Sequence, residues 1–158
     1  MTIDIDKQLS DVQSLLTEDR LAAMSPSERK QVMDLMQALE ISVRREKSQE
    51  EFLCFCSSVW PAFIEGGHHR KMAEKFERVA SGQCKRLMIN MPPRMGKSQL
   101  TSWLLPAWIM GKMPDKKIIM ASHTAELAVR FGRMVRNLIG SDEYKDVFPE
   151  TSLTADSK

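Results

Sequence analysis

Apolar residues recur at spacings of three and four along most of the chain, as helices with one buried face require, and gather into short unbroken runs at two places. Ser25-Pro26-Ser27-Glu28 predicts a helix start: Ser25 caps, Pro26 fits the first turn, and Glu28 reaches back to the cap. The helix is expected to run to about Lys47, with Val32, Leu35, Met36, Leu39 and Val43 on one face and Arg44-Arg45-Glu46-Lys47 as a charged end. A shorter helix before it, over about residues 7–24, carries Leu9, Val12, Leu15 and Leu16 and completes a helical hairpin. A third is expected over Gln49–Val59 on Phe52, Phe55 and Val59, with Pro61 and Gly66-Gly67 breaking the chain after it. His68 and His69 open a fourth, which reaches Ala80 on Met72, Phe76 and Val79 and ends at Gly82.

The two apolar runs are Lys85-Arg86-Leu87-Met88-Ile89-Asn90 and Lys116-Lys117-Ile118-Ile119-Met120-Ala121, each of the length of a buried strand. The first leads through a loop to a helix over Gln99–Met110, whose stripe is Leu100, Trp103, Leu104, Ala107 and Trp108. Gly111 is expected to end that helix, and Pro106 to kink or shorten it. The second leads through a cap at Ser122–Thr124 to a helix reaching Ile139, before Gly140. Two strand, turn and helix units in succession imply a parallel, right-handed arrangement. The expected fold class is therefore α/β: a helical leader over residues 1–67, then over 68–158 the first part of a parallel sheet with flanking helices.

The loop between the first run and its helix is Met91-Pro92-Pro93-Arg94-Met95-Gly96-Lys97-Ser98. A polyphosphate needs several convergent N–H donors and a cation, which a tight loop feeding a helix start supplies. Pro92 and Pro93 lack N–H groups and stiffen the approach, so the donors are residues 94–98, with Gln99 next in the helix. Lys97 supplies the cation, and the Ser98 hydroxyl suits the Mg2+ that accompanies ATP. Arg94 has two readings: a guanidinium on the transferring γ-phosphoryl group, or an exposed arginine that adds to the positive field. The usual phosphate-loop pattern has glycine where this chain has Met91.

From about Phe52 to Ser157 the sequence resembles the large terminase subunits of tailed bacteriophages, the ATPase motors that pump DNA into empty capsids. The resemblance is carried by Trp60-Pro61-Ala62-Phe63, His68-His69-Arg70, the stretch from Arg86 to Ser98, Ala121-Ser122-His123-Thr124-Ala125-Glu126-Leu127-Ala128 and Phe131-Gly132-Arg133. Similar members also begin the loop without glycine and carry Pro-Pro-Arg, which accounts for Met91. The resemblance implies a P-loop ATPase domain with ATP and Mg2+ held by Pro93, Arg94, Met95, Gly96, Lys97, Ser98 and Gln99. It implies catalytic roles for Lys97 and for Arg94, the latter acting in cis on the γ-phosphate. His69 lies where related motors place a glutamine that touches the adenine. Double-stranded DNA, the small terminase subunit, the portal and further copies of the full-length motor are the implied partners, in the host-cell cytoplasm.

Family members continue with a third strand ending in paired acidic residues and then with a nuclease domain. Residues 112–158 hold no apolar strand followed by two carboxylates, and Asp142-Glu143 reads as the first turn of a short helix. An N-terminal fragment is expected, able to hold phosphates but to hydrolyse ATP negligibly. Other readings of the same residues are a helicase-like, nucleic-acid-stimulated ATPase and a truncated remnant acting only through helical association.

Charge is uneven: residues 1–69 carry seven Lys and Arg against twelve Asp and Glu, and residues 70–158 sixteen against nine. A basic second half agrees with polyanion contact, and Arg130, Arg133 and Arg136, three apart on one helix, either face nucleic acid or form a solvated face. Cys54, Cys56 and Cys84 have no metal or redox spacing and read as reduced, buried thiols. The paired histidines lack a third ligand at suitable spacing, which favours polar contacts at a helix start over metal. The acidic N-terminus does not suit a signal peptide, and no apolar stretch is long enough to span a bilayer.

Overall fold

The computed structural model describes residues 24–153, and this region is 65% helical with no strand. The expected α/β class with a parallel sheet is therefore corrected to all-α among the described residues. The reason is local and visible in both apolar runs. Ile89, Met91 and Met120 pack partly against the core, whereas Met88 is 84% exposed and Ile119 94% exposed. Alternate residues thus point inward as in a strand, but no neighbouring chain segment among the described residues supplies a hydrogen-bonded ladder. Without a ladder, an extended run is not a sheet.

The chain divides into two compact units, Met1–Glu46 and Lys47–Lys158. The first helix, α1 (Pro26–Glu50), runs across that division. Its start forms as the sequence predicts: the Glu28 carboxylate accepts from the Ser25 N–H at 2.8 Å and from the Ser25 hydroxyl at 2.7 Å. Those two bonds hold the Glu28 pKa below its ordinary value, the hydroxyl contributing most. Along the expected apolar face Val32, Met36 and Val43 are half-buried, while Leu35 and Leu39 are exposed. The helix expected over about residues 7–24 lies outside the described residues, apart from its last position.

The second unit is built from α2 (Phe52–Val59), α3 (Gly67–Ala80), α4 (Lys97–Gln99), a π-helical segment (Leu100–Leu104), α5 (Leu105–Lys112), α6 (Ala125–Ile139) and α7 (Asp142–Val147). Phe52 and Phe55 on α2 are fully buried and organise the core. Phe52 meets Phe76 of α3 edge-on at 5.3 Å and Trp108 of α5 at 5.5 Å, while Phe55 meets Tyr144 of α7 at 6.0 Å. The polar tips are satisfied. Trp108 Nε1–H donates to the Ser48 carbonyl at 3.1 Å, and the Tyr144 hydroxyl donates to the Ala107 carbonyl at 2.9 Å. Burial pushes the Tyr144 phenol upward, so it stays protonated and keeps donating at any working pH.

Pro106 does not shorten its helix, since α4, the π segment and α5 run continuously from Lys97 to Lys112, and the irregularity falls in the turn before it. The wider π turn is already in place one residue earlier, where the Leu105 N–H reaches back five residues to the Leu100 carbonyl. In that register a residue without an N–H is tolerated. Gly111 also differs from expectation: the helix continues through it to Lys112, and its role is close approach. A Cβ on Gly111 would run into the Phe148 ring, itself held between Phe55 and Tyr144. Gly111→Ala should therefore destabilise the fold by about 1–3 kcal/mol. Chemical denaturation of both proteins checks it, and an unchanged midpoint would mean that Phe148 is free to move.

Among the described residues no helix is long and apolar enough to cross a membrane. None of the three cysteines is in a disulfide; Cys56 is buried, with its thiol pKa pushed up by that burial, whereas Cys54 and Cys84 are only half-buried.

Candidate functional site

The loop from Met91 to Ser98 leads into α4, and its backbone has two unusual positions. Arg94 has φ of 65° and is the only non-glycine with positive φ among the described residues; Gly96, two residues on, has φ of 74°. Alternation of right- and left-handed backbone within a turn is the conformation in which successive N–H groups form an anion-binding concavity. The helix begins directly afterwards at Lys97, and the first bond back along it runs from the Leu100 N–H to the Gly96 carbonyl at 3.0 Å. A helix start leaves the N–H groups of its first residues, here Lys97, Ser98 and Gln99, without intrahelical acceptors.

Pro93, Arg94, Met95, Ser98 and Gln99 are exposed, and Gly96 and Lys97 half-buried. The Lys97 ammonium folds back across the loop, with Nζ 3.4 Å from the Met91 carbonyl oxygen. The cation thus stands near the loop's beginning while the backbone donors stand at its end. The Ser98 hydroxyl lies in the exposed first turn, where it is accessible to a metal ion carried in by a nucleotide. Among the described residues no group of three or more His, Cys, Asp and Glu forms a metal site of its own.

Holding a non-glycine side chain in the left-handed region costs roughly 1–2 kcal/mol. Glycine relieves that strain but enters with a chain-entropy cost of roughly 0.5–1 kcal/mol. Arg94→Gly should accordingly keep or raise stability, by up to about 1 kcal/mol, while removing the guanidinium from the loop. Thermal denaturation reads the first effect; a clear loss of stability would show that the arginine side chain holds the loop together.

His69 belongs to the same place. It is 9% exposed, at the third position of α3, and its Nδ1 accepts the Gly66 N–H at 3.1 Å, as a glutamate does in a capping box. Its other ring nitrogen, Nε2, lies 3.1 Å from where a Cβ on Gly96 would stand. Its ring faces Phe63 at 5.1 Å and His68 at 3.8 Å, and His68 Nε2 is buried without a partner in the structure. Burial chiefly, then the charge of His68, lowers the His69 pKa, against smaller raising effects of hydrogen bonding with the Met95 and Ile64 backbones and of Glu65. A base with a lowered folded pKa supports the fold fully above the unfolded value, about 6.5, and loses that support as pH falls through the lowered value. The His69 ring resonances should titrate with a midpoint below about 6.5; a midpoint above it would contradict the buried, neutral placement.

Between α3 and the loop lies a pocket of about 310 Å³, lined by Trp60, Phe63, Ile64, His68, His69, Arg94, Met95, Gly96, Gln99 and Leu100. Its size is at the lower end for small-molecule sites. Trp60 and Phe63 are functional candidates that the sequence shows only as members of a recognisable string. Two aromatics spaced around Pro61, ahead of a glycine pair, are the signal that points to them. The arginines 130, 133 and 136 are exposed on α6, as a solvated face or a polyanion surface requires. Compared with family models, curated proteins and solved structures, the chain matches none.

Proposed function

We propose that residues 93–98 hold the phosphates of ATP with Mg2+, and that the chain is the ATP-holding part of a viral DNA-packaging terminase large subunit, the family its sequence resembles. The observation that carries this reading is the pair of left-handed positions, Arg94 and Gly96, placed directly before a helix start. A strained arginine persists only where surrounding structure or function holds it, and strain of this kind clusters at ligand-binding loops. The reading rests on the loop and its pocket, and on no sheet.

In this reading the N–H groups from Arg94 to Gln99 and the Lys97 ammonium receive the phosphate oxygens, and Ser98 meets the magnesium ion. Mg2+, when bound, neutralises phosphate charge. Arg94 adds a permanent cation where negative charge develops on the γ-phosphate. Trp60 and Phe63 give the neighbouring pocket flat apolar walls suited to a base. No carboxylate lines that pocket, so positioning of an attacking water falls outside it, and turnover by this chain is expected to be negligible. The host cytoplasm is the place of action in this reading. The row of Arg130, Arg133 and Arg136 is the surface offered to double-stranded DNA.

Competition against a fluorescent ATP analogue in the presence of Mg2+ tests the phosphate claim. Displacement should weaken in the order ATP, ADP, AMP and adenosine, with inorganic tripolyphosphate competing as well. Adenosine competing as effectively as ATP would sink it.

A further inference from the structure

The two histidines at the start of α3 are adjacent in sequence but differ in what they touch. His68 is half-buried with one nitrogen unpartnered, whereas His69 is buried with both ends of its ring against backbone. Gly66 occupies one end, through the 3.1 Å bond to Nδ1. A neutral imidazole that accepts at Nδ1 carries its proton on Nε2. That nitrogen lies at Gly96, 3.1 Å from the position a Cβ would take, and hydrogen bonding with the backbones of Met95 and Ile64 is among the influences on the ring. A single side chain therefore ties the start of α3 to the turn of a loop more than twenty residues later.

We propose that His69 is a positioning residue for the phosphate loop: its imidazole, fixed by Gly66, sets the backbone of Met95 and Gly96 and so the direction of the donors that follow. This rests on the phosphate-binding reading and assigns His69 a task other than touching the base, since Nδ1 is taken by the Gly66 N–H and Nε2 lies against Gly96. It also explains a second requirement at Gly96. Besides its left-handed φ, Gly96 leaves the space that the His69 ring enters.

Replacement by phenylalanine retains an aromatic ring of similar bulk and deletes both nitrogen functions, while His69→Gln returns a donor and an acceptor on a flexible stem. In the full chain, His69→Phe should weaken Mg-ATP and Mg-tripolyphosphate by the same factor, about tenfold, for loss of hydrogen bonding that orients several donors at once. His69→Gln should recover part of that loss. Tripolyphosphate has no base, so a variant that weakens ATP alone would identify a base contact and overturn the positioning role. The amide resonances of Met95 and Gly96 in nucleotide-free protein give an independent reading. They should move in His69→Phe and return toward wild type in His69→Gln. If wild type binds neither ligand, the phosphate reading fails, and these amide shifts still decide whether His69 sets the loop. Unmoved amides in a folded His69→Phe protein would overturn the proposal.

Discussion

Lys97→Ala lowers the affinity for Mg-ATP by about ten- to a hundredfold and leaves thermal stability nearly unchanged. The factor follows from losing a charge-assisted interaction, roughly 1.5–3 kcal/mol, at about 1.4 kcal/mol per tenfold. The small effect on folding follows from the site. Lys97 is half-buried, and the bond its ammonium makes is a 3.4 Å contact with the Met91 carbonyl, at the long limit for a hydrogen bond. Lys97→Arg separates charge from shape: a guanidinium keeps the charge but presents a planar fork in place of a compact point, and should restore only part of the affinity. Isothermal titration of the three proteins reads both effects. Equal affinities across the set would remove Lys97 from the site.

Trp108→Ala is expected to cost about 3–5 kcal/mol, a large part of the stability of a domain of this size. Trp108 is almost fully buried, stacks edge-on with Phe52 at 5.5 Å, and donates to the Ser48 carbonyl, so truncation leaves a cavity and deprives a buried acceptor of its donor. The Lys112 ammonium above the ring, 4.7 Å from its centroid, loses its aromatic surface as well. Trp108→Phe keeps much of the packing and loses the hydrogen bond, and should fall between the two. Urea denaturation followed by circular dichroism measures the series. A wild-type midpoint for Trp108→Ala would mean that the helical core is organised elsewhere.

Helices were legible because their signals are local. The cap at Ser25 with Glu28, the start at Thr124 and the short helix at Asp142 each depend on residues within one turn, and each forms where the pattern places it. The lack of a sheet among the described residues was not, because an apolar run reports fitness for a half-buried pleated surface and says nothing of a partner. Leu87 to Met91 and Ile118 to Met120 do alternate, yet a sheet depends on pairing with a distant segment. Pro106 misled for a related reason: the rule against proline in a helix presumes a regular ladder, and the π segment supplies an irregular one.

Within the candidate site the loop's donors and its lysine could be read from residue types and order. The strained φ at Arg94 could not, because arginine has no particular tendency to be left-handed and the glycine two residues away attracts the attention first. His69 was visible as a helix-start residue, but its approach to Gly96 joins two segments that sequence order keeps apart.

The most direct measurement is to follow the backbone amide resonances of the ¹⁵N-labelled chain while Mg-ATP is added. The account predicts the largest shifts at Met95, Gly96, Lys97 and Ser98, with the same set moved by Mg-tripolyphosphate. Saturable binding that moves amides elsewhere while leaving these four in place would contradict it.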